Sequence, residues 1–157
     1  MKKAYFAGGC FWSVENKFSQ IIGVKEVKSG YMGGVTDNPT YEEVCSGVTE
    51  HAETVEIIYD ENIITYKKLL IYFFSFHNPT TLNKQGIDIG TQYRSAIFYL
   101  TELEKETALK VINEITNSNK YLKQIVTEVI KGKKFYLAEE YHQNYFTKKG
   151  IIIPVKK

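Results

Sequence analysis

The chain turns from strand to helix across the glycine pair Gly8-Gly9, and a cysteine stands where the helix begins. Ala4–Gly8 reads as a short buried strand and Phe11–Phe18 as the helix that follows, with Gly23 beyond its end. A strand ending in two glycines turns sharply and brings its backbone close to a ligand, and a helix starting at Cys10 aims free N–H groups at the sulfur. Both effects favour the thiolate, the nucleophilic form of a thiol whose free pKa is about 8.5. The expectation is a reactive Cys10 with Phe11 and Trp12 as apolar walls; the competing reading is a small buried side chain with a packing role alone. A lipid-anchor signal ending at Cys10 is not expected. Only Ala4–Ala7 follows Lys2-Lys3, far short of the roughly 7–15 apolar residues such a signal needs.

A length of 157 residues suits one domain, residues 1–157, able to bury a core without disulfide or metal. With 43% hydrophobic and 24% charged residues the composition is that of a soluble globular chain, and the net charge is only +2. Lysine pairs at 2–3, 67–68, 133–134, 148–149 and 156–157 are scattered, so no nucleic-acid footprint is expected. The longest wholly apolar run, Leu69–Phe74, is too short to cross a bilayer. With two cysteines and no signal segment, the cytoplasm is the expected compartment and both thiols are expected to be reduced there.

Strands and helices alternate without repeats or low-complexity linkers. Val24–Tyr31 reads as a second strand entering a Gly33-Gly34 turn. Val55, Ile57 and Tyr59 alternate with Glu56 and Ile58 as a half-buried strand. Thr65 is placed to cap a helix through Phe76 with Leu69, Leu70, Phe73 and Phe76 inward, stopped by Asn78-Pro79. Tyr93–Leu100 is the next strand. Thr101 and Glu104 form a capping box, ahead of an apolar stripe of Leu109, Ile112 and Ile115. Ile125–Ile130 is a last strand, followed by an irregular tail from Gly132, so a sheet with helices packed on it is expected.

Two loop-rich segments carry more polar chemistry than packing requires. Between Gly33 and Gly47, Asn38-Pro39 breaks structure, Thr40 is placed to cap a short helix and Gly47 to end it. Tyr41 opens that helix; it is either a packing residue or a hydroxyl turned into a cleft. In Thr49-Glu50-His51-Ala52-Glu53, Glu53 opens a strand. A carboxyl there is ordinarily solvated, but one buried beside aromatic rings becomes a proton donor near neutrality.

The runs Gly9-Cys10-Phe11-Trp12, Asn38-Pro39-Thr40-Tyr41-Glu42-Glu43-Val44-Cys45, His51-Ala52-Glu53, Asp88-Ile89-Gly90-Thr91-Gln92-Tyr93-Arg94-Ser95 and Glu139-Glu140-Tyr141-His142-Gln143 together resemble the peptide-methionine (S)-S-oxide reductases, the A-type methionine sulfoxide reductases. The resemblance extends from about residue 3 to about residue 150. It implies an α+β fold: a single-domain α/β sandwich of the ferredoxin-like plait type, with a mixed sheet, flanking helices and an irregular C-terminal tail.

The resemblance also implies roles. Cys10 matches the nucleophile that attacks the sulfoxide sulfur and becomes a sulfenic acid as methionine leaves. Glu53 matches the proton donor to the sulfoxide oxygen, and Tyr41 and Tyr93 match hydroxyls that hydrogen-bond the same oxygen. Phe11 and Trp12 match the rings that receive the substrate methyl group. With methyl, oxygen and attacking sulfur all fixed, one sulfur epimer is selected. Asp88 matches a residue near the substrate and Tyr93, and His51 is placed among the substrate-binding residues. No cofactor is called for.

His51 and His142 also admit other readings, since a Cys with a His is the protease or transferase arrangement and Glu139-x-x-His142 has metal-pair spacing. With histidine only at 51, 77 and 142 and no second Glu-x-x-His, no metal is expected. Hydrogen bonds holding the C-terminal segment against the site are expected instead, and His77 reads as a cation at a helix C-terminus. Many members of the family carry further cysteines near the C-terminus that resolve the sulfenic acid and pass a disulfide to thioredoxin. Here no cysteine follows Cys45. The expected form therefore lacks that resolving thiol, and its expected reductant is an external thiol, glutathione with glutaredoxin in preference to thioredoxin; Cys45 as resolver is the alternative. Two rival functions stay open: another thiol enzyme acting on peroxides or esters, and a non-catalytic domain that recognises oxidised methionine.

Overall fold

A computed structural model of the chain describes residues 1–156. Strand β1 (Lys2–Gly8) runs through the turn at Gly9 into helix α1 (Phe11–Ser19). Next come β2 (Val24–Met32), the short helix α2 (Tyr41–Cys45), β3 (Ala52–Tyr59) and α3 (Tyr66–Phe76). A two-stranded hairpin follows, β4 (Lys84–Gln85) with β5 (Asp88–Ile89), then a 3-10 turn over Thr91–Tyr93. The chain continues with β6 (Ser95–Tyr99), α4 (Glu102–Asn117), β7 (Glu128–Lys131), β8 (Tyr136–Leu137), a 3-10 turn over Glu140–His142 and α5 (Tyr145–Lys148).

Six of the strands form one sheet in the order β7-β6-β1-β3-β2-β8. Its inner part, β6-β1-β3-β2 with α1 and α3 as the crossovers, is the ferredoxin-like β-α-β-β-α-β plait. The neighbours pair antiparallel except β6 with β7, which run parallel, so the sheet is mixed as expected. Alternation along β1 divides the packing between two faces. Ala4 and Phe6 join Phe11, Val14, Phe18, Leu69, Leu70 and Phe73 in the main core under α1 and α3. Tyr5 and Ala7 face the other way, with Met32, Ala52, Phe98 and the ring of Phe135 from the C-terminal segment.

Several local expectations shift once both faces are seen. The β3 strand, expected to be half-buried, is buried at seven of its eight positions because the C-terminal segment covers the face opposite the helices. Tyr93 closes a 3-10 turn before β6, and the strand itself starts at Ser95. On α3 the inward set is Leu69, Leu70, Phe73 and Phe74, with Phe76 at the margin. On α4 the buried residues are Ala108 and Val111, and Leu109 is exposed, so the inner face is turned from the stripe the larger residues suggested. The Thr101 hydroxyl caps the Glu104 amide, but the Glu104 carboxylate accepts from Leu100 rather than from Thr101, so the box is half made. At α2 the box is complete: Thr40 caps Glu43, and the Glu43 carboxylate accepts the Thr40 amide. His77 is buried, with Nδ1 bonded to the Phe73 carbonyl and Nε2 to Ser95; burial pushes it down to about 4, so it is neutral rather than the expected cation.

Candidate active site

Cys10 occupies the N-cap of α1, and Gly9 before it adopts φ +94°, a left-handed conformation open to glycine at little cost. The Trp12 and Ser13 amides at the start of the helix favour the thiolate, although neither makes a capping hydrogen bond to the sulfur. They are outweighed. Burial first, then the carboxylates of Glu53 and Asp88, push the thiol up to about 12. The expected low-pKa thiolate is therefore corrected: the helix N-terminus is present, but the half-buried position favours the protonated thiol.

Glu53, the second residue of β3, is only 2% exposed and stands opposite Tyr31 in the ladder. Its Oε1 accepts the Phe11 amide at 3.1 Å, while its Oε2 is buried without a partner among the described residues. Burial, with a further contribution from Asp88, pushes the carboxyl up to about 8 against the opposing Phe11 hydrogen bond. At neutral pH the site thus holds two protons, one on Cys10 and one on Glu53.

Tyr41 is the first residue of α2 and its ring lies 6.5 Å from Phe11 in a stacked arrangement. Tyr93 sits in the 3-10 turn after the β4–β5 hairpin. Both phenols are raised, chiefly by burial; Glu53 adds to each, as does Cys45, toward whose thiol the Tyr41 hydroxyl is turned. They are neutral hydroxyls able to donate. Asp88 on β5 raises Cys10, Glu53 and Tyr93 together, so its carboxylate lies within electrostatic reach of all three. Cys10, Phe11, Trp12, Tyr41, Glu53, Asp88 and Tyr93 thus converge from α1, α2, β3, β5 and the 3-10 turn. His51 does not join them. Its Nδ1 accepts the Gly34 amide at 2.9 Å and its Nε2 bonds the Thr36 carbonyl at 2.6 Å, so both ring nitrogens hold the loop after β2.

The apolar wall is built from both ends of the chain. Phe11 is buried against Tyr31, Tyr41 and His142. The Trp12 indole stacks on Tyr145 with ring centres 3.8 Å apart and planes 6° from parallel, and its Nε1 donates to Nδ1 of His142 at 3.0 Å. With that N–H engaged, the indole offers a substrate only apolar surface. Glu139 accepts the Tyr31 hydroxyl on Oε1 and the Tyr41 amide on Oε2, both at 2.9 Å, which fixes the start of α2. Asn16 bonds Thr147, the Ile151 carbonyl and the Ile153 amide, holding α5 and its Tyr145 in place. The expected anchoring role of His142 is present. Glu139, which the sequence presents only through its spacing to His142, braces Tyr31 and Tyr41, and Tyr145 and Asn16 carry no signal in the sequence reading.

A strand-turn-helix cysteine in one site with a buried carboxyl and two phenols is the arrangement of a thiol enzyme. The peptide methionine sulfoxide reductase family model matches residues 2–153, and the chain belongs to that family. Its relatives place it in the A type. It is 55% identical over 148 residues to peptide methionine sulfoxide reductase MsrA of Nautilia profundicola, covering 94% of this chain and 84% of that protein. The corresponding Pasteurella multocida protein is 53% identical over 144 residues, with 92% and 82% covered. Among solved structures, reduced Mxr1 from Saccharomyces cerevisiae superposes with a TM-score of 0.89 at 36% identity, covering 95% of this chain and 86% of that one. Mxr1 in complex with Trx2 gives 0.66 at 26% identity, with 92% and 84% covered. The enzyme reduces methionine sulfoxide and serves repair of oxidised methionine.

Proposed function

We propose that residues 1–157 act as one methionine sulfoxide reductase A domain that reduces the S-epimer of methionine sulfoxide, free or within proteins, through a sulfenic acid on Cys10. The observation that carries the reading is Glu53: buried, held by the Phe11 amide on one oxygen and unpartnered on the other, with its proton retained at neutral pH. A carboxyl in that state donates to the sulfoxide oxygen while the Cys10 sulfur attacks the sulfoxide sulfur; Tyr41 and Tyr93 donate to the same oxygen. The balance is thiol plus sulfoxide giving sulfenic acid plus thioether. The S–O bond of the substrate breaks, the oxygen leaves on Cys10, and methionine departs reduced. Phe11 and the anchored face of Trp12 take the methyl group, and Asp88 sets the local field.

Regeneration needs an external thiol. Glutathione with glutaredoxin, expected from the sequence, is replaced in this reading by a thioredoxin, because the Mxr1–Trx2 complex is that of a relative of the same fold. A dithiol reductant does not require a second cysteine in this chain. Its first thiol condenses with the sulfenic acid and releases water, and its second displaces Cys10 as thiol. Reduced thiols and a thioredoxin partner fit a cytoplasmic setting. The deciding experiment is epimer-resolved reduction of methionine sulfoxide with dithiothreitol: consumption of the S-sulfoxide alone is expected, and equal loss of both epimers contradicts the assigned pocket.

A further inference from the structure

We propose that Gln85 is a positioning residue for the reaction: its side chain pins the β4–β5 hairpin over the Gly9–Cys10 turn and thereby sets the place of the Asp88 carboxylate relative to Cys10 and Glu53. This rests on the reading of Cys10 as nucleophile and Glu53 as acid. Gln85 and Asp88 are direct partners across the hairpin, so their side chains share one face, while Lys84 and Ile89 share the other. Both ends of the Gln85 amide are bonded to the backbone of one residue: Oε1 accepts the Asn78 N–H and Nε2 donates to the Asn78 carbonyl, both at 2.9 Å. Its stem lies on the nucleophile's turn. A Cβ at Gly9 would stand 2.7 Å from Cγ and 2.9 Å from Cβ of Gln85.

Three points are thus joined by one side chain: the corner after α3, the hairpin that carries Asp88, and the backbone one residue before Cys10. The hairpin needs such a tie. Strands of two residues are too short to hold themselves, and the other bonds at this end, Thr81 Oγ1 to the Lys84 carbonyl and the Gly90 amide to the Asn83 carbonyl, leave the Gln85–Asp88 rung unattached. Glutamine is the residue type the position requires, since a carboxylate lacks the donor and asparagine lacks the reach.

The groups within electrostatic reach of Glu53 are Cys10 and the hydrogen-bonded Phe11 amide at the start of α1, Tyr31 from β2, Tyr41 and Cys45 from α2, Asp88 from β5 and Tyr93 from the 3-10 turn. Of these, Asp88 is the one the hairpin carries. The test is the single-turnover rate of S-sulfoxide reduction against pH for wild type, Gln85→Met, Asp88→Asn and the double variant; methionine keeps the stem on Gly9 and removes both amide bonds. In wild type the rate climbs with pH and levels off near the Glu53 value of about 8. Gln85→Met and Asp88→Asn are expected to move that break toward lower pH, and the double variant no further than Asp88→Asn. Loss of structure alone lowers the rate at every pH without moving the break. A Gln85→Met break at the wild-type pH, with that of Asp88→Asn moved, overturns the role of Gln85 and leaves Glu53 intact. Additive shifts in the double variant also overturn it. A wild-type profile without the break removes Glu53 as the acid, and the role assigned to Gln85 falls with it.

Discussion

The Phe11 amide donates to Glu53 Oε1 at 3.1 Å, joining the first residue of α1 to the second residue of β3. Because Phe11 follows Cys10 in the chain, this one bond sets the acid against the nucleophile and leaves Oε2 as the only free carboxyl oxygen. Glu53→Gln keeps an acceptor for the amide but has no acidic proton. Single-turnover sulfoxide reduction is expected to slow by roughly 10²–10⁴-fold, the range for a positioned general acid, with little change in substrate affinity. Rapid-quench measurement of methionine formed checks it.

The two protons of the resting site fix the pH dependence. In the proposed reaction Cys10 attacks deprotonated and Glu53 donates its proton. Cys10 is pushed up to about 12 and Glu53 to about 8, so below the lower value each rise in pH adds thiolate at no loss of acid. Between the two values the gain in thiolate is offset by the loss of protonated Glu53. The rate of the free enzyme at subsaturating sulfoxide is therefore expected to rise about tenfold per pH unit and then flatten near pH 8. A maximum below neutrality would contradict the order of the two pKa values.

Cys10→Ser is expected to abolish turnover while preserving the fold, since an alcohol neither ionises near neutrality nor carries the oxygen as a sulfenic acid. One equivalent of sulfoxide without reductant should give wild-type protein a dimedone adduct on Cys10, read by peptide mass spectrometry. Cys45→Ser should recycle normally with thioredoxin and its reductase. A Cys10–Cys45 disulfide, together with failed recycling in Cys45→Ser, would make Cys45 the resolving thiol.

Gly9→Ala combines an unfavourable φ of +94° with a collision against Gln85. A loss of roughly 1–3 kcal/mol is expected from the backbone alone. Thermal unfolding should show it, and sulfoxide reduction should fall beyond what the lost stability explains, because the turn that aims Cys10 is displaced.

Glu139→Gln tests the brace on α2. The amide retains one acceptor for Tyr31 or for the Tyr41 amide but not the charge that strengthens both bonds. Reduced kcat with a lesser change in stability is expected, because Tyr41 loses its fixed origin; unchanged kinetics would show that α2 is held by its capping box alone.

Much of this was readable from the chain because the signals were local. Two glycines before a cysteine gave the strand, the turn and the helix start, and Thr40 and Thr65 gave the helix caps where they occur. Cys10, Trp12, Tyr41, Glu53 and Tyr93 were named from motifs, and the fold brings them together. What could not be read depends on burial from distant segments. At the Cys10 thiol the N-terminus of α1 is outweighed first by burial in the surrounding core and then by the carboxylates of Glu53 and Asp88, 43 and 78 positions away. His51 follows the same rule in reverse: its motif pointed to the site, but its ring reaches back to Gly34 and Thr36. On α4, side-chain size suggested Leu109, whereas close packing on the sheet selected Ala108.

The chain has a single tryptophan, and it is the one that stacks on Tyr145 and donates to His142. Any ultraviolet emission from an indole therefore originates at one point, between the nucleophile and the C-terminal segment. Events at Cys10, two residues before it, or a shift of the Tyr145 ring stacked on it are expected to alter the surroundings of that one fluorophore. Its emission is therefore expected to follow the proposed cycle with no label to attach.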